Sequence, residues 1–258
     1  MLLSQSKIVF ITGASSGIGE ACAIRFAREG YSLILNARRK DRLDKLAAKL
    51  KNDFGTHVLN LVFDVRKKES VFSAILALKD EWKNIDILVN NAGLALGLSD
   101  LHGGDTEDWE QMIDTNVKGL LYVSKAVVPG MIQRKKGHII NVGSIAAKET
   151  YLKGNVYCAT KHAVDSLTKA MRMELLTHNI RVSLVNPGAT NTEFSQVRFK
   201  GDKERADSIY DGFTPLIGDD IARCILFCAE LPDHVNINDM LIMPTAQATA
   251  GLIFKENV

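Results

Sequence analysis

Seven short, nearly unbroken apolar runs recur along this 258-residue chain. They are Ile8–Ile11, Leu33–Leu35, Val58–Phe63, Ile85–Val89, Ile139–Val142, Val182–Val185 and Met240–Met243. Strands buried on both faces read this way, and a parallel sheet buries both of its faces. Helical stripes lie between them: Ile18/Cys22/Phe26, Leu43/Leu46/Ala47/Leu50, Val71/Ile75/Leu78 and Val164/Leu167/Met171/Leu175. Such alternation predicts right-handed βαβ crossovers, hence an α/β fold: one doubly wound parallel sheet of the Rossmann type, with about seven strands flanked by helices. No repeat, low-complexity tract or Pro/Gly/Ser-rich linker divides residues 1–258, so a single domain is expected. The stretch near 191–218 interrupts the alternation and is charged and helical. Insertions beyond a strand's carboxyl end usually cover a ligand.

The first strand runs directly into Gly13-Ala14-Ser15-Ser16-Gly17-Ile18-Gly19, with a helix to follow. Glycines permit the tight turn and a close backbone approach to a pyrophosphate, while the helix N-terminus offers free N–H donors and a positive dipole end. The spacing is Gly-x-x-x-Gly-x-Gly rather than the commoner Gly-x-Gly-x-x-Gly. A Gly-rich turn without a ligand is the bland alternative, and its place after the first strand argues against it. The second strand ends in Asn36-Ala37-Arg38-Arg39, where an NAD-binding chain would carry an acid for the ribose hydroxyls. Ala37 stands in that place, and Arg38 and Arg39 can clamp a 2′-phosphate. NADP rather than NAD is therefore expected.

Tyr157 and Lys161 are one helical turn apart, so the phenol and the ammonium share a face. A phenol titrates near 10, roughly three units too high for a base at neutral pH, and each unit is worth about 1.4 kcal/mol. A cation about 4 Å away in an effective dielectric near 20 contributes on the order of 4 kcal/mol. One fixed lysine, helped by a positively charged nicotinamide ring, is the perturbation needed to make Tyr157 a proton shuttle. The same spacing is common on surface helices, so its meaning depends on its company.

Composition excludes more than it specifies. A net charge of +2, with scattered Lys and Arg, gives no reason to expect nucleic acid or an anionic membrane as partner. The apolar opening Met1–Thr12 is cut by Ser4, Gln5, Ser6 and Lys7 and lacks a signal-peptide core. No apolar run approaches the roughly 20 residues that span a bilayer. A cytoplasmic location is expected. Cys22, Cys158, Cys224 and Cys228 form no Cys-x-x-Cys pair, and no His stands at zinc-ligand spacing from them, so neither a metal nor a disulfide is expected.

Thr12–Gly19, Asp64-Val65, Asn90-Asn91-Ala92-Gly93, Asn116, Ser144, Tyr157-x-x-x-Lys161 and Asn186-Pro187-Gly188 resemble, in order, the motif series of the short-chain dehydrogenases/reductases. The likeness spans essentially the whole chain. It implies that Gly13, Ser15, Ser16, Gly17, Ile18 and Gly19 hold the coenzyme phosphates, that Asp64 meets the adenine and Asn91 the adenosine ribose, and that Val65 and Gly93 also contact the coenzyme. Pro187, Gly188, Thr190 and Thr192 would close over the nicotinamide. Asn116, Ser144, Tyr157 and Lys161 would be catalytic. Ser144 fixes the substrate oxygen, Tyr157 exchanges its proton, and Lys161 holds the ribose and lowers the phenol's pKa. Asn116 holds a helix kink and a water on the proton path. Two plainer roles stay open: Ser144 as a loop cap and Asn116 as a satisfied polar residue in a helix.

Val142–Tyr151, Thr192–Ser195 with Val197–Asp202, and Val235–Asp239 with Pro244–Gln247 are similar to the NADP-dependent 3-hydroxy acid dehydrogenases. That likeness implies a small hydroxy acid or oxo acid substrate such as L-serine, L-allo-threonine or 3-hydroxyisobutyrate. Among Arg198, Lys200, Lys203 and Arg205, Arg198 is the candidate for the substrate carboxylate, with Lys148 as a second cation. A solvated lid that contributes only solubility is the alternative. The resemblance also implies a homotetramer, with the tail 245–258 docked on a neighbour. Reduction of carbonyls, dicarbonyls or 3-oxoacyl substrates is the rival activity within the fold. An inactive NADP-binding regulatory module is a rival outside it, disfavoured by the intact relay residues.

Overall fold

A computed structural model describes residues 6–256. Met1–Gln5, which open the apolar N-terminal stretch, and Asn257–Val258, which end the tail, lie outside the described residues.

The elements run β1 (Ile8–Thr12), α1 (Gly17–Arg28), β2 (Ser32–Ala37), α2 (Lys40–Phe54), β3 (Val58–Val62), α3 (Lys68–Leu76), β4 (Ile85–Asn90) and α4 (Thr106–Ile113). A wide helical turn over Asp114–Gly119 then leads into α5 (Leu120–Arg134). The chain continues through β5 (Gly137–Val142), α6 (Asn155–Glu174), β6 (Ile180–Pro187), β7 (Thr190–Asn191), α7 (Glu193–Arg198), α8 (Lys203–Ser208), β8 (Leu216–Ile217), α9 (Gly218–Glu230) and β9 (Asp239–Ile242). Seven strands form one sheet in the order β3-β2-β1-β4-β5-β6-β9. Every neighbouring pair is parallel. All seven apolar runs became strands of this sheet.

Side-chain alternation divides the interior into two cores. Val9 and Ile11 of β1, Leu33 and Leu35 of β2, and Ile140 and Val142 of β5 pack against Cys22 and Phe26 of α1, Leu43, Leu46 and Leu50 of α2, and Ile221 and Ile225 of α9. The residues between them, Ile8, Phe10, Ile34 and Ile139, face Val71 of α3 and Val123, Val127 and Met131 of α5. Because both faces are covered, the central strands are mostly apolar. Strand order reverses between β1 and β4, and a crevice opens there beyond the carboxyl ends of the strands, as is usual for doubly wound sheets.

The 191–218 stretch is bracketed by a small second sheet. β7 pairs in parallel with β8, and α7 and α8 lie between them. Cys22, Cys158 and Cys228 are buried, whereas Cys224 is half-buried. Among the described residues, no helix is long and apolar enough to cross a membrane.

One buried polar residue makes the sheet sensitive to acid. His138 on β5 is 2% exposed; its Nε2 meets Ser183 Oγ at 2.9 Å, and Nδ1 has no hydrogen-bond partner among the described residues. Burial, with Arg181 nearby, lowers its pKa to about 3. The unfolded chain therefore takes up a proton between pH 6.5 and about 3 that the folded chain refuses, so stability is lost as pH falls through that window. The His138→Gln variant should lose less stability between pH 7 and pH 4 in urea titrations, by about one proton's worth of slope. An unchanged slope would contradict this.

Candidate active site

The phosphate loop shows directly why its glycines are required. A Cβ on Gly13, whose φ is +67°, would lie 2.9 Å from Ala92 Cα. On Gly19 it would lie 2.4 Å from Gly13 O and 2.6 Å from Asn91 Nδ2. Gly17 has φ +57°, a left-handed conformation that side chains disfavour. Asn91 ties the end of β4 to this turn, its Nδ2 donating to Thr12 O at 2.9 Å and Gly13 O at 3.2 Å. The turn is thus held with its bare backbone toward the crevice, a cradle suited to phosphate.

The crevice is a cavity of about 570 Å³. Gly13, Ser15, Ser16, Gly17, Ile18, Arg38, Arg39, Asp64, Val65, Asn91, Gly93, Pro187, Gly188, Thr190 and Thr192 all border it, as do Ser144, Tyr157, Lys161 and Arg198. Three expected site residues fall outside it, Lys148 among them. Gly19 is a packing position behind the loop, and Asn116 stands one layer back. Asp64 faces the cavity while held by Arg66, whose Nε and Nη2 reach its carboxylate at 2.9 and 2.6 Å. Burial alone would raise that carboxyl, but the Arg66 guanidinium holds it below the ordinary range.

Lys148 is a correction. Its ammonium donates to Asp165 Oδ1 at 2.6 Å and also contacts Asp239, and it does not border the cavity. Lys200 is likewise taken by Asp108 at 2.9 Å and Asp105 at 3.3 Å, and Arg205 stacks over Phe199. Of the five cations considered for a carboxylate, Arg198 alone borders the cavity among the described residues. Its Nε donates to Gly97 O at 3.1 Å and its Nη1 to Tyr151 Oη at 2.9 Å, and its guanidinium lies 5.7 Å from the Tyr157 ring centre. Nη2 makes no hydrogen bond among the described residues and is free to serve an anion. Tyr151, Phe194, Glu193 and Gln247 also border the cavity and were not among the sequence candidates.

Ser144 caps a short turn, its Oγ accepting from Ala146 N at 3.1 Å, and its own N–H donates to Asn186 Oδ1 at 3.0 Å. The plain capping role and the cavity-facing role coexist. Gly143 makes room for this: a Cβ there would lie 2.0 Å from Asn186 Oδ1. Asn116 sits in the wide turn before α5 and clamps Leu94. Its Oδ1 accepts from Leu94 N at 2.8 Å, and its Nδ2 donates to Leu94 O at 2.8 Å and Thr160 Oγ1 at 3.0 Å. Both amide N–H groups and one Oδ1 lone pair are thus engaged, which braces the β4 loop against α6. Gly93 passes between Asn116 and the Lys161 ammonium.

Tyr157 and Lys161 share the buried face of α6, as their spacing predicts. Lys161 Nζ donates to Val142 O at 3.0 Å and lies 6.0 Å from the Tyr157 ring centre. Burial pushes the ammonium down to about 8. Burial also pushes the phenol above its ordinary range, against the opposing pull of Ser144 and Arg198. The expectation that Lys161, helped by a positively charged nicotinamide ring, lowers the Tyr157 pKa concerns the loaded site; for the chain by itself desolvation sets the direction.

An uncompensated buried ammonium costs stability. Its folded pKa lies below the unfolded value, so the penalty is present at neutral pH and is relieved between about pH 8 and 10.5. Lys161→Met should therefore raise stability at pH 7 by roughly 1–3 kcal/mol, read as a higher Tm, and the gain should shrink by pH 10. A destabilised variant would contradict this account.

Residues 7–203 match the family model described as short chain dehydrogenase. Over 246 residues the chain is 46% identical to an NADP-dependent 3-hydroxy acid dehydrogenase of Salmonella typhi, covering 95% of this chain and 98% of that one. It is 41% identical over 254 residues to a serine 3-dehydrogenase of Rhizobium radiobacter, covering 98% of this chain and all (100%) of that one. The closed form of a serine dehydrogenase complexed with NADP+ superposes with a TM-score of 0.90 at 43% identity, covering 97% of this chain and 100% of that chain. With the relay residues, the phosphate loop and the sheet order in agreement, the chain belongs to the short-chain dehydrogenase family.

Proposed function

We propose that this protein is an NADP-dependent oxidoreductase that oxidises the 3-hydroxyl of small 3-hydroxy acids of the L-serine, L-allo-threonine or 3-hydroxyisobutyrate type. The observation that carries this reading is a single guanidinium, Arg198, poised over the Tyr157 ring in a cavity that Ser144 and Lys161 also border. A carboxylate on Arg198 would direct the carbon two bonds away toward the phenol, which suits a 3-hydroxy acid.

The coenzyme, when bound, supplies the hydride acceptor at its nicotinamide. Gly13 to Ile18 would hold its pyrophosphate, Arg38 and Arg39 its 2′-phosphate, Asp64 and Val65 its adenine, and Asn91 and Gly93 its adenosine ribose. Pro187, Gly188, Thr190 and Thr192 would lie against the nicotinamide. Ser144 Oγ holds the substrate oxygen, and Tyr157 accepts the hydroxyl proton as the carbon loses hydride. Lys161 favours the phenolate and takes the proton onward. Arg198 and Ser144 together fix the substrate at two points, and such orientation is a large part of catalysis. The product is a 3-oxo acid, whose carboxylate stands beta to the new carbonyl and can leave as carbon dioxide. The 3-hydroxy acid dehydrogenase and serine dehydrogenase relatives support this substrate class. A homotetramer in the cytoplasm is the expected physiological form.

NADPH formation at alkaline pH across a panel of 3-hydroxy acids, with simple alcohols lacking a carboxylate as controls, tests the reading. The acids should turn over and the alcohols should not. Arg198→Ala should raise KM for L-serine by about tenfold or more with a smaller change in kcat. An unchanged KM would remove Arg198 from substrate binding, and equal turnover of the alcohols would overturn the hydroxy acid assignment.

A further inference from the structure

The clamp expected to receive the 2′-phosphate already grips an anion of the chain itself. Glu193 is the first residue of α7, and its two carboxylate oxygens are divided between two guanidiniums. Oε2 accepts from Arg39 Nη1 at 2.9 Å and Oε1 from Arg42 Nη1 at 2.5 Å. Burial alone would raise this carboxyl, but Arg42 and Arg39 hold it below its ordinary range, so it is charged at neutral pH.

The rest of Arg39 is spent on the phosphate loop. Its Nε and Nη2 donate to Ser15 Oγ at 3.2 and 3.0 Å, and Nη2 also donates to Ser16 Oγ at 2.8 Å. With the bond to Glu193, four of its five N–H donors are engaged. Arg38, by contrast, is exposed and makes no hydrogen bond or ion pair among the described residues. The start of α7 is seated on the same loop: Thr192 Cβ lies 3.2 Å from where a Cβ on Gly17 would stand. Ser15, Ser16, Arg38, Arg39 and Glu193 all border the cavity.

We propose that Glu193 is a built-in competitor for the coenzyme's 2′-phosphate, a positioning residue that occupies the Arg39 clamp until the phosphate displaces it and thereby tunes NADP-against-NAD discrimination. The inference rests on the NADP reading above. A phosphomonoester carries close to two negative charges at pH 7. Seated on Arg39, it would share a few ångströms with the Glu193 carboxylate, and like charges at that range repel. Phosphate entry therefore requires Arg39 to release Glu193. That exchange is feasible because the ion pair lies at the rim, with the side chains 40% and 35% exposed, where such pairs contribute little. NAD places no phosphate there and leaves the pair undisturbed.

Calorimetric titration of the full chain with NADP and, separately, with NAD reads this directly. Wild type should bind NADP more tightly than NAD; if it does not, the coenzyme reading falls, and this inference falls with it. Given that preference, Glu193→Gln should bind NADP about fivefold tighter than wild type. Its affinity for NAD should be unchanged, and Glu193→Ala should behave in the same way. NADP affinity that is unchanged or weaker would overturn the competition while leaving the NADP reading intact. So would a parallel shift in both coenzymes, which would mean that the substitution merely loosened α7.

Discussion

Desolvation at the carboxyl edge of the sheet governs the chemistry of this protein. It acts on both members of the Tyr157–Lys161 pair and drives each toward its neutral form, the phenol upward and the ammonium down to about 8. Neither shift alone is useful for catalysis. Together they leave a pair of groups whose protonation is decided by whatever charge enters the cavity next. A cationic nicotinamide ring is such a charge, and in a site with little water its effect on a phenol is large. The chain carries this burial as lost stability, as enzymes commonly do at their sites.

The scaffold that imposes this burial is rigid for traceable reasons. Asn116 hydrogen-bonds Leu94 and Thr160 through its amide, fixing the β4 loop to α6. Asn186 holds the Ser144 backbone and is itself held by Asp239, whose carboxylate also meets Lys148. The cation read as a substrate ligand is thus the far end of a brace behind the serine. Glycines at positions 13, 19 and 143 are required because neighbouring backbone or amide atoms fill the space a Cβ would need.

Much of this was legible in the sequence because it is local or periodic. Continuous apolar runs report strands covered on both faces, the glycine spacing reports the turn, and a four-residue separation reports a shared helical face. The partners of Lys148 were not legible, because Asp165 and Asp239 reach it only through the fold. Tyr151, Glu193 and Gln247 enter the cavity from loops and a short helix with no periodic signal. The depth at which Tyr157 lies was not legible for a different reason. Spacing along a helix gives proximity to a cation, but it does not give the depth of burial, and here depth outweighs proximity.

The central claim is that the phenol is held protonated by burial and released by the coenzyme's positive charge. Titrating Tyr157 by ultraviolet difference absorbance, wild type minus Tyr157→Phe, isolates that one group. Without coenzyme its transition should lie above pH 10; with saturating NADP it should fall by at least about two units. A Tyr157 transition at the same pH in both states would contradict the account.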